Sequence, residues 1–285
     1  MWKNFRFYFL YSLIYAFSLL PIRILYLLSD LLAFVLEHLL RYRYHVISAN
    51  LSRAFPEKPD DELKTFRRRF YRHFSDLIFE NIKSISQPPE KLANRLQVEG
   101  EELLAEIYAE GRSVILLIGH YANWEYIKIG LYKHSPFFNQ AVYRPLKSAL
   151  FDRLLRTSRK RYKGRLIPQN EMGRSLLAEK KKQTLTLILY DQSPSNPAQC
   201  NWYSFLGQET AFYSIVNKLS ARTESAVIFG RFSKVKRGHY RLRFELLDEK
   251  DPIADYVKKL EEEIRDDPPL WLWSHRRWKA KKKIG

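Results

Sequence analysis

An α/β fold, with helices covering a sheet and an apolar segment at the amino end, is what the sequence predicts. Short apolar runs, several rich in β-branched residues, alternate with longer stretches whose apolar residues recur every three or four positions. The run over residues 113–118 follows Gly111 and stops at Gly119-His120, as a buried strand ending in a turn does. A third observation is the stretch 7–20, which contains no charged residue. A chain of 285 residues can bury one substantial core and carry an appendage, here divided as residues 1–40 and 41–285.

The first segment reads as a membrane anchor. After the uncharged stretch come Pro21 and two further apolar runs, 24–29 and 31–36, separated by Asp30. A full span wants roughly 20 apolar residues, so the first run alone is marginal. Its density of Phe and Tyr suits the headgroup level of a bilayer. Lys3 and Arg6 precede the run and no small-residue cleavage site follows, so a removed signal peptide is not expected. The bland alternative is a helical hairpin buried in a soluble protein. If the segment spans, the richer basic run beyond Arg41 places the bulk of the chain on the cytoplasmic side.

Leu63, Phe66, Phe70, Phe74, Leu77, Ile78 and Ile82 then recur at helical steps, and Asp60, Asp61 and Glu62 suit that helix's amino end. Arg67, Arg68 and Arg69 fall on its other face, where either plain solvent or anionic headgroups would accept them. A helix over 101–110, closed by Gly111, leads to the 113–118 strand and a helix over 122–131. A strand at 141–143 and a helix over 146–163 follow, with Phe151, Leu155, Arg159 and Tyr162 on one face. Arg159 there needs a carboxylate such as Glu125, a cavity that takes an anion, or a route to solvent along its own stem. The chain continues as a strand over 184–190, a loop over 193–199, a helix over 211–219, strands over 225–232 and 240–246, and a helix over 255–264. The tail from Trp271 mixes tryptophan with Arg276, Arg277 and lysines.

Forty-nine Lys and Arg against 31 Asp and Glu give a formal net charge of +18, which favours an anionic partner: nucleic acid, anionic lipid or an acidic carrier protein. The one cysteine, Cys200, excludes an intrachain disulfide and fits a reducing compartment. It reads as incidental, an acyl-carrying thiol being the alternative. No Gly-rich phosphate loop, paired cysteines or His-x-x-x-His spacing occurs, so neither a cofactor nor a metal is expected.

The stretch Gly119-His120-Tyr121-Ala122-Asn123-Trp124-Glu125 is the candidate centre. An imidazole at the carboxyl end of a strand sits where α/β sheets commonly bind ligands. A carboxylate five residues on can fix its tautomer if a strand-to-helix corner turns the two together. The plain alternative is a surface His and an unrelated helix Glu. Asp191, at the end of the 184–190 strand, holds a basic partner, orients a substrate hydroxyl or simply forms a turn.

This stretch resembles the His-x-x-x-x-Asp/Glu motif of glycerolipid-type acyltransferases, and in detail the lipid A secondary acyltransferases, the lauroyl and myristoyl transferases of Gram-negative bacteria. Other segments are similar in the same order: Asn50-Leu51 with Ala54-Phe55-Pro56-Glu57, Tyr143-Arg144-Pro145, Arg159, Asp191-Gln192, Phe205-Leu206-Gly207, Thr210, and Leu272-Trp273-Ser274-His275-Arg276-Arg277-Trp278-Lys279. The resemblance implies a mixed central sheet flanked by helices and transfer of an acyl group from a thioester to a hydroxyl. It implies His120 as the base and Glu125 as the acid that orients it. Asn123, Arg144, Arg159, Asp191, Gln192 and Arg231 are the candidates for substrate contacts. The implied donor is acyl carrier protein or acyl-CoA, and the acceptor is a phosphorylated, Kdo-bearing lipid A precursor at the bacterial inner membrane, with the catalytic domain cytoplasmic. Ala211-Phe212-Tyr213-Ser214 is bulkier than the family's usual residues there, which leaves acyl length and acceptor choice open. Another membrane glycolipid or a lysophospholipid is the nearer alternative acceptor. A basic RNA-binding protein is the distant alternative, and no nucleic acid is expected.

Overall fold

The computed structural model describes residues 2–145, 148–159, 162, 164–196 and 200–280. Two helices open the chain, α1 (Trp2–Leu19) and α2 (Ile22–Phe34), the second running on into a π-helical turn, Val35–Leu39. Pro21 breaks them, and the stretches Phe5–Leu19 and Ile22–Leu39 are bent by 111°. Among the described residues no single helix is long and apolar enough to cross a membrane; this bent pair passes by length and composition together. α3 (Tyr44–Ala54) and the long α4 (Asp60–Ser86) follow.

The α1–α2 pair docks on α4 through polar groups. Lys83 Nζ donates to the carbonyls of Ser18 and Leu20, both at 2.9 Å, where α1 ends with unsatisfied acceptors. Asp76 accepts from Ser29 Oγ at 2.7 Å and from Arg237 at 2.6 Å, and Arg237 also reaches Asp30 at 2.8 Å. The outward face of the pair is apolar: Phe5, Tyr8, Phe9, Leu13, Leu19, Leu27 and Leu31 are all more than half exposed.

The remaining elements are α5 (Pro89–Ala93), β1 (Leu96–Glu99), α6 (Glu101–Ala109), β2 (Val114–Ile118), α7 (Ile127–His134), β3 (Phe138–Tyr143), α8 (Ala149–Arg159), β4 (Arg165–Pro168), α9 (Met172–Ala178) and β5 (Thr184–Leu189). They are followed by β6 (Cys200–Phe205), β7 (Gln208–Tyr213), α10 (Ile215–Thr223), β8 (Ala226–Lys236), β9 (His239–Leu246) and α11 (Pro252–Asp266). Seven strands form one sheet in the order β1-β9-β8-β2-β5-β3-β4, with β6 and β7 a separate hairpin. Only the β8–β9 pairing is antiparallel in the large sheet, so β1 and β9 run against the other five. The sheet is therefore mixed, as the resemblance implies. β2 lies at its middle with all five residues buried, which is why it reads as an unbroken apolar run rather than an alternating one.

Two expectations change. Residues 211–213 belong to β7, not to a helix, because Leu206 and Gly207 take φ of 49° and 71° and form the tight turn of a hairpin. The 122–131 helix is delayed: Ala122 has φ 48°, a 3-10 turn covers Trp124–Tyr126, and α7 begins only at Ile127. The four-residue strands β1 and β4 at the sheet's edges are too short to show a period. Of the expected 146–163 helix, α8 supplies Ala149–Arg159, and positions 146, 147, 160, 161 and 163 lie outside the described residues.

Candidate active site

β2 and β5 are parallel neighbours with Ile118 opposite Leu189. Two residues beyond each of these, His120 and Asp191 leave the same end of the sheet side by side. Gly119 permits this, since a Cβ there would lie 2.5 Å from Leu260 Cδ1 on α11. His120 Nδ1 meets Asp191 Oδ1 at 2.5 Å, and the His120 backbone N–H donates to Asp191 Oδ2 at 2.8 Å. Trp271 Nε1 also donates to Oδ2, at 2.7 Å. Burial would push the Asp191 carboxyl up, but the His120 charge and these hydrogen bonds overcome it and hold the group at about 2. An ionised Asp191 fixes the proton on His120 Nδ1, so the lone pair lies on Nε2. Nε2 faces Gln192 Nε2 at 3.1 Å, and Gln192 is exposed. The basic nitrogen thus points toward the open side of the site.

The turn after His120 is held from behind by two distant segments. Ala122 N–H donates to Leu270 O at 3.0 Å, Leu272 N–H to His120 O at 3.1 Å, and Tyr121 Oη–H to Asp267 O at 3.2 Å. From α4, the buried His73 meets Ala122 O through Nε2 at 3.2 Å. Burial, with Lys234 nearby, pushes the His73 imidazole well below its ordinary range, so it is neutral and donates. Glu80, fully buried two turns further along the same face, accepts from Asn123 Nδ2 at 2.7 Å, Tyr240 Oη at 2.9 Å and Tyr26 Oη at 3.0 Å. The left-handed backbone at Ala122 is over-determined by these contacts.

Trp124 lies against His120, ring centroids 5.2 Å apart, and also lines a cavity of about 280 Å³. Ile127, Leu131, Val142, Leu187 and Leu189 give that cavity an apolar wall, and Glu125, Lys128 and Arg156 add charged groups. The expected pairing of Glu125 with His120 is corrected here. The carboxylate on the imidazole is Asp191, whereas Glu125 faces Lys128 at 3.5 Å on the cavity wall. The late start of α7 is the reason: the extra turn at Ala122 sets Trp124 beside His120 and carries Glu125 past it.

The other expected site residues divide. Gln192 is at the imidazole. Asn123 belongs to the scaffold, its side chain buried against Glu80 rather than facing a ligand. Arg231 is matched by Glu245 at 2.8 Å, Glu262 at 3.2 Å and Asp266 at 4.0 Å. Arg144 is exposed just beyond β3. Arg159 ends α8, and its side chain lies outside the described residues.

Sequence reasoning missed Trp271, His73 and Glu80 as parts of this centre. A signal existed for the last two: His73, Asp76, Glu80 and Ser84 form a polar stripe at steps of three, four and four, and all four are buried. Polar residues on an inward helical face imply partners.

Segments far apart in the chain converge around the centre. Asn50 Nδ2 donates to the carbonyls of Trp273 and His275, both at 2.9 Å. Trp278 Nε1 donates to Thr210 Oγ1 at 2.8 Å, and Phe205 packs on Trp271 with centroids 5.8 Å apart. Arg277 is buried, donates to Ala211 O at 2.7 Å and lies over the Phe212 ring at 4.3 Å. These are the segments that carry the family resemblance, and their shared task is to pin the closing segment behind His120. A comparison with curated proteins returned no match. The chain matches the bacterial lipid A biosynthesis acyltransferases over residues 2–280, opening helices and closing segment included, and it belongs to that family of enzymes.

Proposed function

We propose that this acyltransferase moves a fatty acyl chain from a thioester, on acyl carrier protein or coenzyme A, to a hydroxyl of a lipid A precursor at a membrane surface. The observation that carries the reading is His120 with its basic Nε2 on the open side, Asp191 behind it and an apolar cavity adjoining through Trp124. The acceptor hydroxyl displaces Gln192 from Nε2. His120 takes the hydroxyl proton as the oxygen attacks the thioester carbonyl, and Asp191 stabilises the imidazolium. The oxyanion is held by backbone N–H groups of the turn at Asn123. Collapse breaks the C–S bond, and the leaving thiolate receives the proton from Nε2. No covalent acyl-enzyme is needed. Cys200 supports this, because burial raises its thiol and its Sγ is engaged with Asn196 O at 3.3 Å.

The acyl chain occupies the apolar cavity. Glu125 and Lys128 act at its wall, beside the reacting carbonyl, and Arg144 and Arg159 serve acceptor phosphates or carboxylates. The exposed apolar face of α1 and α2 lies in the bilayer, with the sheet on the cytoplasmic side of a bacterial inner membrane. That placement is supported by the apolar outer and polar inner faces of the helical pair. Mass spectrometry of lipid A from cells with and without this chain tests the reading: one acyl substituent should be lost on deletion, and unchanged lipid A would refute it.

A further inference from the structure

A second opening, a groove of about 710 Å³, is lined by Arg41, Arg43, His45, His275, Arg276 and Lys279 among its residues. Among the described residues no carboxylate lines it. Several guanidinium groups elsewhere are matched: Arg237 by Asp30 and Asp76, Arg243 by Glu99, Arg165 by Glu179, Arg112 by Glu249. Among the described residues Arg41, Arg43, Arg276 and Lys279 form no ion pair. Four exposed cations gathered on one surface without a counter-charge create a positive potential that draws an anion.

The groove is a built feature. Arg41 and Arg43 both take left-handed backbone, φ 47° and 51°, at the turn that joins the opening helices to α3. Arg43 donates to Ser274 O at 2.8 Å, tying that turn to the closing segment, which Asn50 pins at Trp273 and His275. The groove also adjoins the segment that backs the centre: His275, which lines it, donates its N–H to Leu272 O at 3.0 Å, and Leu272 N–H donates to His120 O at 3.1 Å. On its other side it begins where the apolar surface stops: Leu39 and Leu40, 67 % and 66 % exposed, immediately precede Arg41.

We infer that this groove is a phosphate subsite, in which Arg41, Arg43, Arg276 and Lys279 hold a phosphate monoester on the headgroup of the acceptor lipid. The inference rests on the proposed acyl transfer to a lipid hydroxyl. A monoester carries close to two charges near neutral pH, and guanidinium forks match its oxygens in pairs. A lipid headgroup is favoured over a carrier protein because the groove opens beside the exposed apolar Leu39 and Leu40. A headgroup held there stands between the bilayer and His120.

The test uses the full chain and a double variant, Arg276→Gln with Lys279→Gln, whose folding is checked by its thermal transition. Transfer is measured to a lipid acceptor bearing a phosphate monoester and to the same acceptor after phosphatase treatment. The variant should raise the acceptor KM about tenfold on the phosphorylated lipid and no more than about twofold on the other, with kcat and the donor KM unchanged. Equal losses on both acceptors, or a rise confined to the donor KM, would overturn the assignment, the latter placing the donor in the groove. A second arm needs no turnover: binding to zwitterionic vesicles with and without phosphatidic acid, and to inorganic phosphate. Wild type should bind the phosphatidic acid vesicles about tenfold more tightly than the variant does. Binding of inorganic phosphate without preference for those vesicles would overturn the lipid assignment. If wild type transfers no acyl group yet this preference holds, the activity reading fails and the phosphate subsite stands.

Discussion

His120 and Asp191 stand 71 positions apart in the chain, yet each lies two residues beyond a paired register position, Ile118 opposite Leu189, on adjacent parallel strands. Their 2.5 Å contact is thus set by strand neighbourhood rather than by local sequence. The carboxylate fixes which imidazole nitrogen is basic, and the sheet fixes where that nitrogen faces.

Replacing Asp191 by Asn should lower kcat by at least about a hundredfold, roughly 3 kcal/mol, because the imidazole loses both its tautomer and its counter-charge. Stability carries a second signature. The folded carboxyl titrates at about 2 against an ordinary 3.8, so its contribution is complete above about 4 and is lost as pH falls toward 2. That contribution is on the order of 2 kcal/mol. Acid denaturation of Asp191→Asn should therefore be flatter across this window; a curve parallel to wild type would show the ion pair to be absent.

Glu125 separates from Asp191 in the same experiments. Glu125→Ala should cut transfer at least about tenfold by removing the carboxylate that faces Lys128 at the cavity wall. The acid window that belongs to Asp191 should persist in this variant, since Asp191 remains on the imidazole. Loss of the acid window in this variant would reinstate Glu125 as the orienting acid.

His120→Ala should abolish transfer, while Cys200→Ser keeps it within about twofold of wild type. Covalent trapping of an acyl group on Cys200, or inactivity of the serine variant, would replace the single-step scheme with an acyl-enzyme.

Glu80 joins α4, α2 and β9 to the catalytic turn. Glu80→Ala strands the buried donors of Asn123 and Tyr240 and the half-buried one of Tyr26, and should cost about 3 kcal/mol while lowering kcat more than it raises KM. Burial raises the Glu80 carboxyl, so the wild-type protein loses stability as pH rises through that titration. Glu80→Gln cannot ionise, and its stability should fall less over the same rise.

A methyl group at Gly119 would meet Leu260 Cδ1 at 2.5 Å. Gly119→Ala should destabilise by about 1–3 kcal/mol, and Leu260→Ala in the same chain should recover part of that. Thermal melts of the two single variants and the double variant measure the coupling, and strict additivity would mean the strand end can move away from α11.

Sequence alone determined the fold class, the central strand, the long α4 and the candidate base, because each depends on local pattern: an apolar run, a helical period, an imidazole after Gly119. Motifs read in order also carried the family. Which carboxylate serves the base was a matter for tertiary structure, since no local pattern says that residues 114–118 pair with residues 185–189. One left-handed residue, Ala122, moved Glu125 off the imidazole, and long-range contacts from His73, Leu270 and Leu272 help hold it in that conformation. Arg231 and Arg276 look alike as letters. The fold surrounds the first with carboxylates and leaves the second in a groove that has none, and long-range packing alone makes that difference.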